Sequence, residues 1–144
     1  MYLVVLFAHS IVRWVVLGCA VWASLSAQSG MRAGRAWTRR ARIPGVVLAA
    51  AVDVQLLLGI SLWLFLSPHA ITQGARSHYW TFAHPLLGLA VVALVHVGSV
   101  RVRRMLDDGT RWRTAARYYL AALVLVVISI PWPIAGMGRR LLPF

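Results

Sequence analysis

The feature that most restricts the fold of this 144-residue chain is a set of four long apolar runs separated by arginine-rich loops. The runs cover residues 2–27, 45–66, 80–100 and 118–134. At about 1.5 Å rise per residue, each run crosses most or all of a hydrocarbon layer about 30 Å thick. We therefore expect an all-α integral membrane protein, a single domain over residues 1–144, folded as an up-down-up-down bundle of four helices.

The distribution of arginine predicts the orientation of the bundle. Eleven of the fifteen arginines lie between the first and second runs or between the third and fourth, whereas the other side holds only Arg76, Arg139 and Arg140. The positive-inside rule then places both termini and the middle loop outside. The net charge of +12 contains no lysine. Because the arginines sit at the ends of apolar runs, the expected partner is a lipid bilayer and not nucleic acid. Aromatic residues such as Trp112 and Tyr119 are expected to mark the inner membrane boundary.

Polar side chains inside the runs are the candidates for chemistry, because polar groups in hydrocarbon are costly. If the middle of each run lies at the bilayer midplane, His9 and His84 lie roughly 7 and 9 Å outward, and His96 roughly 9 Å inward. His9 and His84 thus share a level. They also occupy the first and third runs, which stand diagonally in a sequentially connected bundle.

Two imidazoles at one depth on diagonal helices predict a bis-histidine haem b. Neutral imidazole nitrogens suit both axial positions, and an apolar bundle solvates the porphyrin. Gly88, one turn after His84, would let a flat ring approach the backbone. The alternative is that each histidine only donates a hydrogen bond to a neighbouring helix.

Arg13 and Asp53 fall near the midplane on sequential helices, so the sequence predicts a structural ion pair that locks the first helix to the second. The functional alternative is that Arg13, one turn from His9, contacts a haem propionate or a quinone oxygen while Asp53 relays protons. His96 has no opposing histidine at its own depth. A structural hydrogen bond, for example to Gln55 or Ser129, is therefore favoured over metal ligation by His96.

The outer loop contains further polar and aromatic residues. They are expected to be solvated, although they could also form one wall of a quinone site or contact haem propionates. These residues are His69, Arg76, His78, Tyr79 and Trp80.

Four segments carry a family resemblance: AHSIVRW, DVQLLLGISLWLF, YWTFAHPLLGLAVVALVHVG and YYLAALVLVVISIPWP. Together they resemble small bacterial four-helix membrane proteins of the cytochrome b type and, more distantly, the cytochrome b561-like bundles. The resemblance implies axial ligands at His9 and His84, with His96 as a further candidate, and a place in the bacterial inner membrane. It also implies electron transfer between a quinone pool and a partner. Diheme members of such families need four membrane histidines, whereas this chain has three at depth, so one haem at most is expected.

The expected function is therefore that of a one-haem electron carrier, a subunit of a larger respiratory or photosynthetic complex that exchanges electrons with a quinone or a partner redox protein. No nicotinamide, flavin or P-loop motif and no hydrolytic triad points to a stand-alone enzyme. The alternative is a cofactor-free structural or accessory membrane subunit with a buried Arg13 to Asp53 lock. A small transporter is less favoured, since broken helices and paired repeats are missing.

Overall fold

The computed structural model describes residues 1–66, 78–130 and 132, and it is helical apart from short connecting segments. The four main helices are α1 (Tyr2–Arg32), α2 (Ile43–Ser61), α3 (His84–Arg104) and α4 (Asp108–Ser129). A 3₁₀ turn over Arg40–Arg42 leads into α2, a π-helical turn over Leu62–Leu66 extends it, and another over Tyr79–Ala83 leads into α3. All four helical segments are long and apolar enough to cross a membrane. The predicted all-helical class, with four helices able to span a membrane, is thereby confirmed for the described residues.

The main contacts between helices run around a square: α1 with α2, α2 with α3, α3 with α4, and α4 with α1. Helices α1 and α3 therefore stand on one diagonal, and α2 and α4 on the other. At one end of the bundle, Trp112 in the first turns of α4 donates its indole N–H to the carbonyl of Arg35, at 2.7 Å. At the other end, the Tyr79 hydroxyl donates to the carbonyl of Ser129, at 2.9 Å.

The outer surface of the bundle is apolar on every helix. Soluble proteins do not expose apolar area on this scale, whereas a bilayer covers it. Because a bilayer would cover this apolar surface, the large apolar side chains lie on the outside and few of them are buried. Exposed examples are Leu3, Val15 and Leu25 on α1, Val46 and Leu57 on α2, Leu86 and Leu89 on α3, and Val124 and Ile128 on α4.

Small side chains hold α1 against α4. Ala20, Ala23 and Ala27 of α1 are buried, as are Ala115 and Ala122 of α4. Because lipid tails are as apolar as the helix surfaces, packing between backbones that approach closely is a main source of helix association in membranes. The alanines provide that close approach along most of the interface.

Three aromatic side chains of α4 fill the space beside a glycine on each of the other helices. Trp112 and Tyr119 are only 5% and 6% exposed. Glycines thus leave room for these two rings inside the bundle, and their place at the membrane boundary stays a prediction. The pairs are Trp112 with Gly30 of α1, Tyr119 with Gly45 of α2, and Tyr118 with Gly98 of α3.

Helix α4 begins at Asp108, ten residues before the apolar run that predicted it. Asp107 is its N-cap, and its Oδ1 accepts a hydrogen bond from the Thr110 amide, at 2.7 Å. Asp108 pairs with Arg111, three residues later, at 3.2 Å. A capped, charged first turn thus extends the helix past the apolar run, which the hydropathy pattern could not show.

The cap makes the start of α4 sensitive to acid. Hydrogen bonds from the side chain and backbone of Thr110 lower the pKa of the Asp107 carboxyl below its ordinary value. The Asp107 carboxylate therefore stabilises the fold fully at pH values above its ordinary pKa. This stabilisation is lost as the pH falls through the lowered pKa of the folded protein. We expect Asp107→Ala to lower the melting temperature at pH 7. Between pH 7 and acid, the melting temperature of this variant should fall less than that of the wild type. Circular dichroism melts in detergent measure both effects.

Asp107→Asn is the matched control. Asn keeps a side-chain oxygen for the cap but does not titrate. It should melt above the alanine variant at pH 7 and lose less stability in acid than the wild type. Identical melting of all three proteins at both pH values would contradict this role for Asp107.

Candidate functional site

The fold brings His9 and His84 together from diagonal helices. Their ring centroids lie 6.1 Å apart, with an angle of 70° between the ring planes. His9 lies in the first turns of α1 and His84 opens α3, so both rings lie at the end of the bundle opposite the α1 to α2 connection.

The ring of His84 is held by the end of α4. Its Nδ1 lies 3.1 Å from the carbonyl oxygen of Ser129. A carbonyl only accepts, so Nδ1 carries the proton and donates. This tautomer leaves Nε2 with its lone pair, as required for a metal ligand whose other nitrogen bonds to a carbonyl. The Tyr79 hydroxyl donates to the same oxygen, and two donors thus satisfy a carbonyl that the last turn of a helix would leave exposed.

A π-helical turn positions the aromatic residues around His84. Pro85 follows His84 and has no amide hydrogen, so the regular α-helical bond to the preceding turn cannot form there. The turn over Tyr79–Ala83 widens instead. It places the ring centroids of Tyr79 and Trp80 5.8 and 5.4 Å from that of His84.

Helix α2 provides the neighbours of His9. Gln55 Nε2 lies 3.2 Å from His9 Nε2. Gly59, one turn later, packs on the same ring, since a Cβ there would lie 3.3 Å from His9 Cε1. Among the described residues, the buried Gln55 Oε1 has no hydrogen-bond partner. A buried acceptor without a hydrogen bond lowers the stability of the folded protein by about 1–3 kcal/mol. The cluster therefore has capacity for a further polar or ligating group.

The distance between the two imidazole rings can be compared with that expected for two histidines that share a metal ion. Two such rings, bound through nitrogens at about 2.0 Å on opposite sides of a metal, have centroids about 6.3 Å apart. The observed value is 6.1 Å. The 70° angle is compatible with this, because each ring can rotate about its own metal bond. Residues 1–66 and 78–130 contain no group of three or more His, Cys, Asp or Glu side chains that could hold a metal.

The other residues predicted for this site are placed as follows. A Cβ at Gly88 would meet no atom within 4 Å, so the face of α3 one turn after His84 is open. The Arg13 guanidinium lies 5.1 Å from the ring centroid of Trp14. His78 is exposed and stacks on Phe82. His69 and Arg76 lie outside the residues that the structure describes.

Asp53 pairs with His96 and not with Arg13, which corrects the predicted ion pair. Asp53 Oδ1 lies 2.8 Å from His96 Nε2. The reason is helical rotation: Gln55, two residues and about 200° further round α2, is the polar group that faces α1. Asp53 therefore points toward α3. Gln55 and Ser129, the expected partners of His96, instead contact His9 and His84.

Sequence reasoning missed the supporting roles of Tyr79, Gln55, Gly59 and Ser129. The spacing of Gln55 and Gly59 gave a usable signal, because residues four apart lie on one helix face. No sequence signal indicated the Ser129 carbonyl, because a backbone acceptor is available at the end of any helix.

Comparisons of the chain with protein families, with curated proteins and with solved structures find no match. The cytochrome b resemblance therefore stays a prediction.

Proposed function

We propose that this protein is a membrane electron-transfer protein that binds one haem b between His9 and His84. The observation that carries the proposal is the 6.1 Å separation of the two rings on diagonal helices, because these two histidines would hold the haem. An iron held there supplies reversible one-electron chemistry between its ferric and ferrous states.

The residues of the chain have distinct roles in this proposal. The Ser129 carbonyl orients His84 and fixes the proton on Nδ1, so that Nε2 is the ligating atom. His9 would be the second residue that holds the haem, and Gln55, which contacts its ring, would position it. Gly88 leaves a face open for the macrocycle. Arg13 and Arg76 are the proposed contacts for an anionic propionate or for a quinone oxygen.

The proposed topology is up-down-up-down, with both termini outside and the arginine-rich ends inside, in a bacterial inner membrane. The Trp112 to Arg35 hydrogen bond supports it, because it joins the two arginine-rich segments at one end of the bundle. The rings of Trp37 and Trp112, 4.4 Å apart, support the same arrangement. The histidine pair then lies in the outer leaflet.

The proposed partners follow from the small size of the bundle. The connections between α1 and α2 and between α3 and α4 are short, so we propose that an electron donor or acceptor docks on the bundle or diffuses to the haem. We propose that the chain is a subunit of a larger respiratory or photosynthetic complex, and that a quinone or a redox protein exchanges electrons with it.

A cofactor-free structural subunit is the second candidate, and the hydrogen bonds of the same cluster favour it. Gln55 to His9 joins α2 to α1, and both Tyr79 and His84 tie the start of α3 to the end of α4. In this alternative the histidines lock helices together, as polar groups often do in membrane bundles.

Absorption spectroscopy separates the two candidates. The full chain is expressed with an ample supply of haem precursor, purified in detergent, and measured by the pyridine haemochrome assay and by a reduced-minus-oxidised difference spectrum. We expect haem close to equimolar with the chain and a b-type α-band. A colourless protein under these conditions would refute the proposal and favour the structural subunit.

A further inference from the structure

The pair formed by Asp53 and His96 lies on the outer face of the bundle between α2 and α3. Their side chains are 47% and 49% exposed, although His96 Nε2 and Asp53 Oδ1 are only 2.8 Å apart. Both residues lie well inside helices that are long and apolar enough to span a membrane. Ionisable groups at membrane depth are costly when they face lipid, and they face other protein groups or water-filled cavities in almost every case.

The internal bond satisfies only half of the bonding capacity of the pair. The carboxyl group has two oxygens and the imidazole ring has two nitrogens, and only one of each takes part in the bond between Asp53 and His96. Among the described residues, the hydrogen bond between these two side chains is the only one that either of them makes. In the form of the pair that has no net charge, one proton is shared between Asp53 Oδ1 and His96 Nε2, and the pair presents one further acceptor, Asp53 Oδ2, and one further donor, His96 Nδ1–H, at the same membrane depth.

A surface with one donor and one acceptor side by side is complementary to itself. Two copies related by a twofold axis along the membrane normal place identical residues at the same depth, and each contact then occurs twice. We propose that the α2 to α3 face binds a second copy of this chain, with each His96 donating to the Asp53 of the other copy. The four side chains then form a closed ring of hydrogen bonds, shielded from lipid by both bundles.

The surface around the pair suits close contact between helices. Ala50 precedes Asp53 by three residues and Ala93 precedes His96 by three, and both alanines are exposed. Small residues beside a polar group let neighbouring helices approach within hydrogen-bonding distance. Val54 and Val97, 48% and 45% exposed, extend the face with apolar area. The proposed dimer does not depend on haem.

Disulfide cross-linking in native membranes tests the proposal on the full chain. The single cysteine, Cys19, is first replaced by serine, and Ala50→Cys or Ala93→Cys is then introduced. Ala121→Cys on α4 is the matched control, because Ala121 is an exposed alanine on the helix diagonal to α2. Since a disulfide needs Cα atoms within about 7 Å, we expect about tenfold more covalent dimer at position 50 or 93 than at 121. Equal yields at all three positions would overturn the proposal.

Removal of the Asp53 acceptor tests the chemistry of the contact. Asp53→Ala in the better cross-linking background should lower the dimer yield severalfold, because the ring of hydrogen bonds can no longer close. An unchanged yield in a variant that is still helical by circular dichroism would refute the role of Asp53. If that variant does not fold, the positional pattern of cross-linking decides alone. Haem content measured on the same membranes is a separate result, so a failure of the haem proposal is distinguishable from a failure of this one.

Discussion

Substitution of His9 or His84 by alanine is expected to abolish the bis-histidine haem spectrum in each case, leaving no low-spin b-type α-band. Both imidazoles are needed to hold the haem. Of the other described histidines, His96 is paired with Asp53 and His78 stacks on Phe82. The measurement is the reduced-minus-oxidised spectrum of each purified variant, normalised to protein concentration. Residual high-spin haem in one variant would be consistent with loss of a single ligand.

His96→Ala is the matched control for these two variants. His96 lies twelve residues after His84 on the same helix, about 18 Å away along the axis. The haem spectrum should be unchanged, and stability should fall by about 1 kcal/mol, the scale of one interhelical hydrogen bond in a membrane. An intact spectrum in His9→Ala, or a lost spectrum in His96→Ala, would show that the ligands have been assigned wrongly.

The meeting of His9 and His84 could be predicted because it follows from two robust quantities. Rise per residue fixes depth within each apolar run, and sequential connection fixes which helices stand on a diagonal. Neither quantity depends on side-chain detail. The structure places the two ring centroids 6.1 Å apart, whereas the ligation of a haem is still a prediction.

The partner of Asp53 could not be predicted, because depth alone does not give rotation about a helix axis. Arg13 and His96 both lay within reach of Asp53 by depth. Gln55 and Gly59 form the side of α2 that faces His9 of α1. Asp53 lies on a different side of α2 and therefore faces α3. A hydropathy pattern that is apolar on nearly every face, as expected in lipid, contains little information about this rotation.

Helix ends were predicted least well, and for a physical reason. Apolar runs report the part of a helix that contacts lipid, whereas helices continue wherever backbone hydrogen bonds and caps permit. Helix α1 therefore continues to Arg32 and α3 to Arg104, past the last apolar residue of each run. The π-helical turn before His84 was likewise hidden, although Pro85 marked a local disruption.

Gly98→Ala should be strongly destabilising for its size. A Cβ at this position would lie 2.6 Å from the Cβ and 2.8 Å from the Cγ of Tyr118. Those atoms are close to the backbone of α4, so a change of rotamer cannot relieve the overlap and α3 must move away from α4. Overpacking of this kind costs about 1–3 kcal/mol. Unfolding of the detergent-solubilised protein by sodium dodecyl sulfate, followed by circular dichroism, measures the loss.

Gly18→Ala is the control, because a Cβ there would meet nothing within 4 Å and alanine favours a helix by up to about 1 kcal/mol over glycine. Stability should be unchanged or increased.

A rescue experiment separates backbone overlap from side-chain overlap. Tyr118→Phe retains the Cβ and Cγ and should not rescue Gly98→Ala. Tyr119→Phe removes the hydroxyl nearest to Gly45 and should partly rescue Gly45→Ala. If Gly98→Ala is as stable as Gly18→Ala, then α3 and α4 are not held at the separation that places Gly98 against Tyr118.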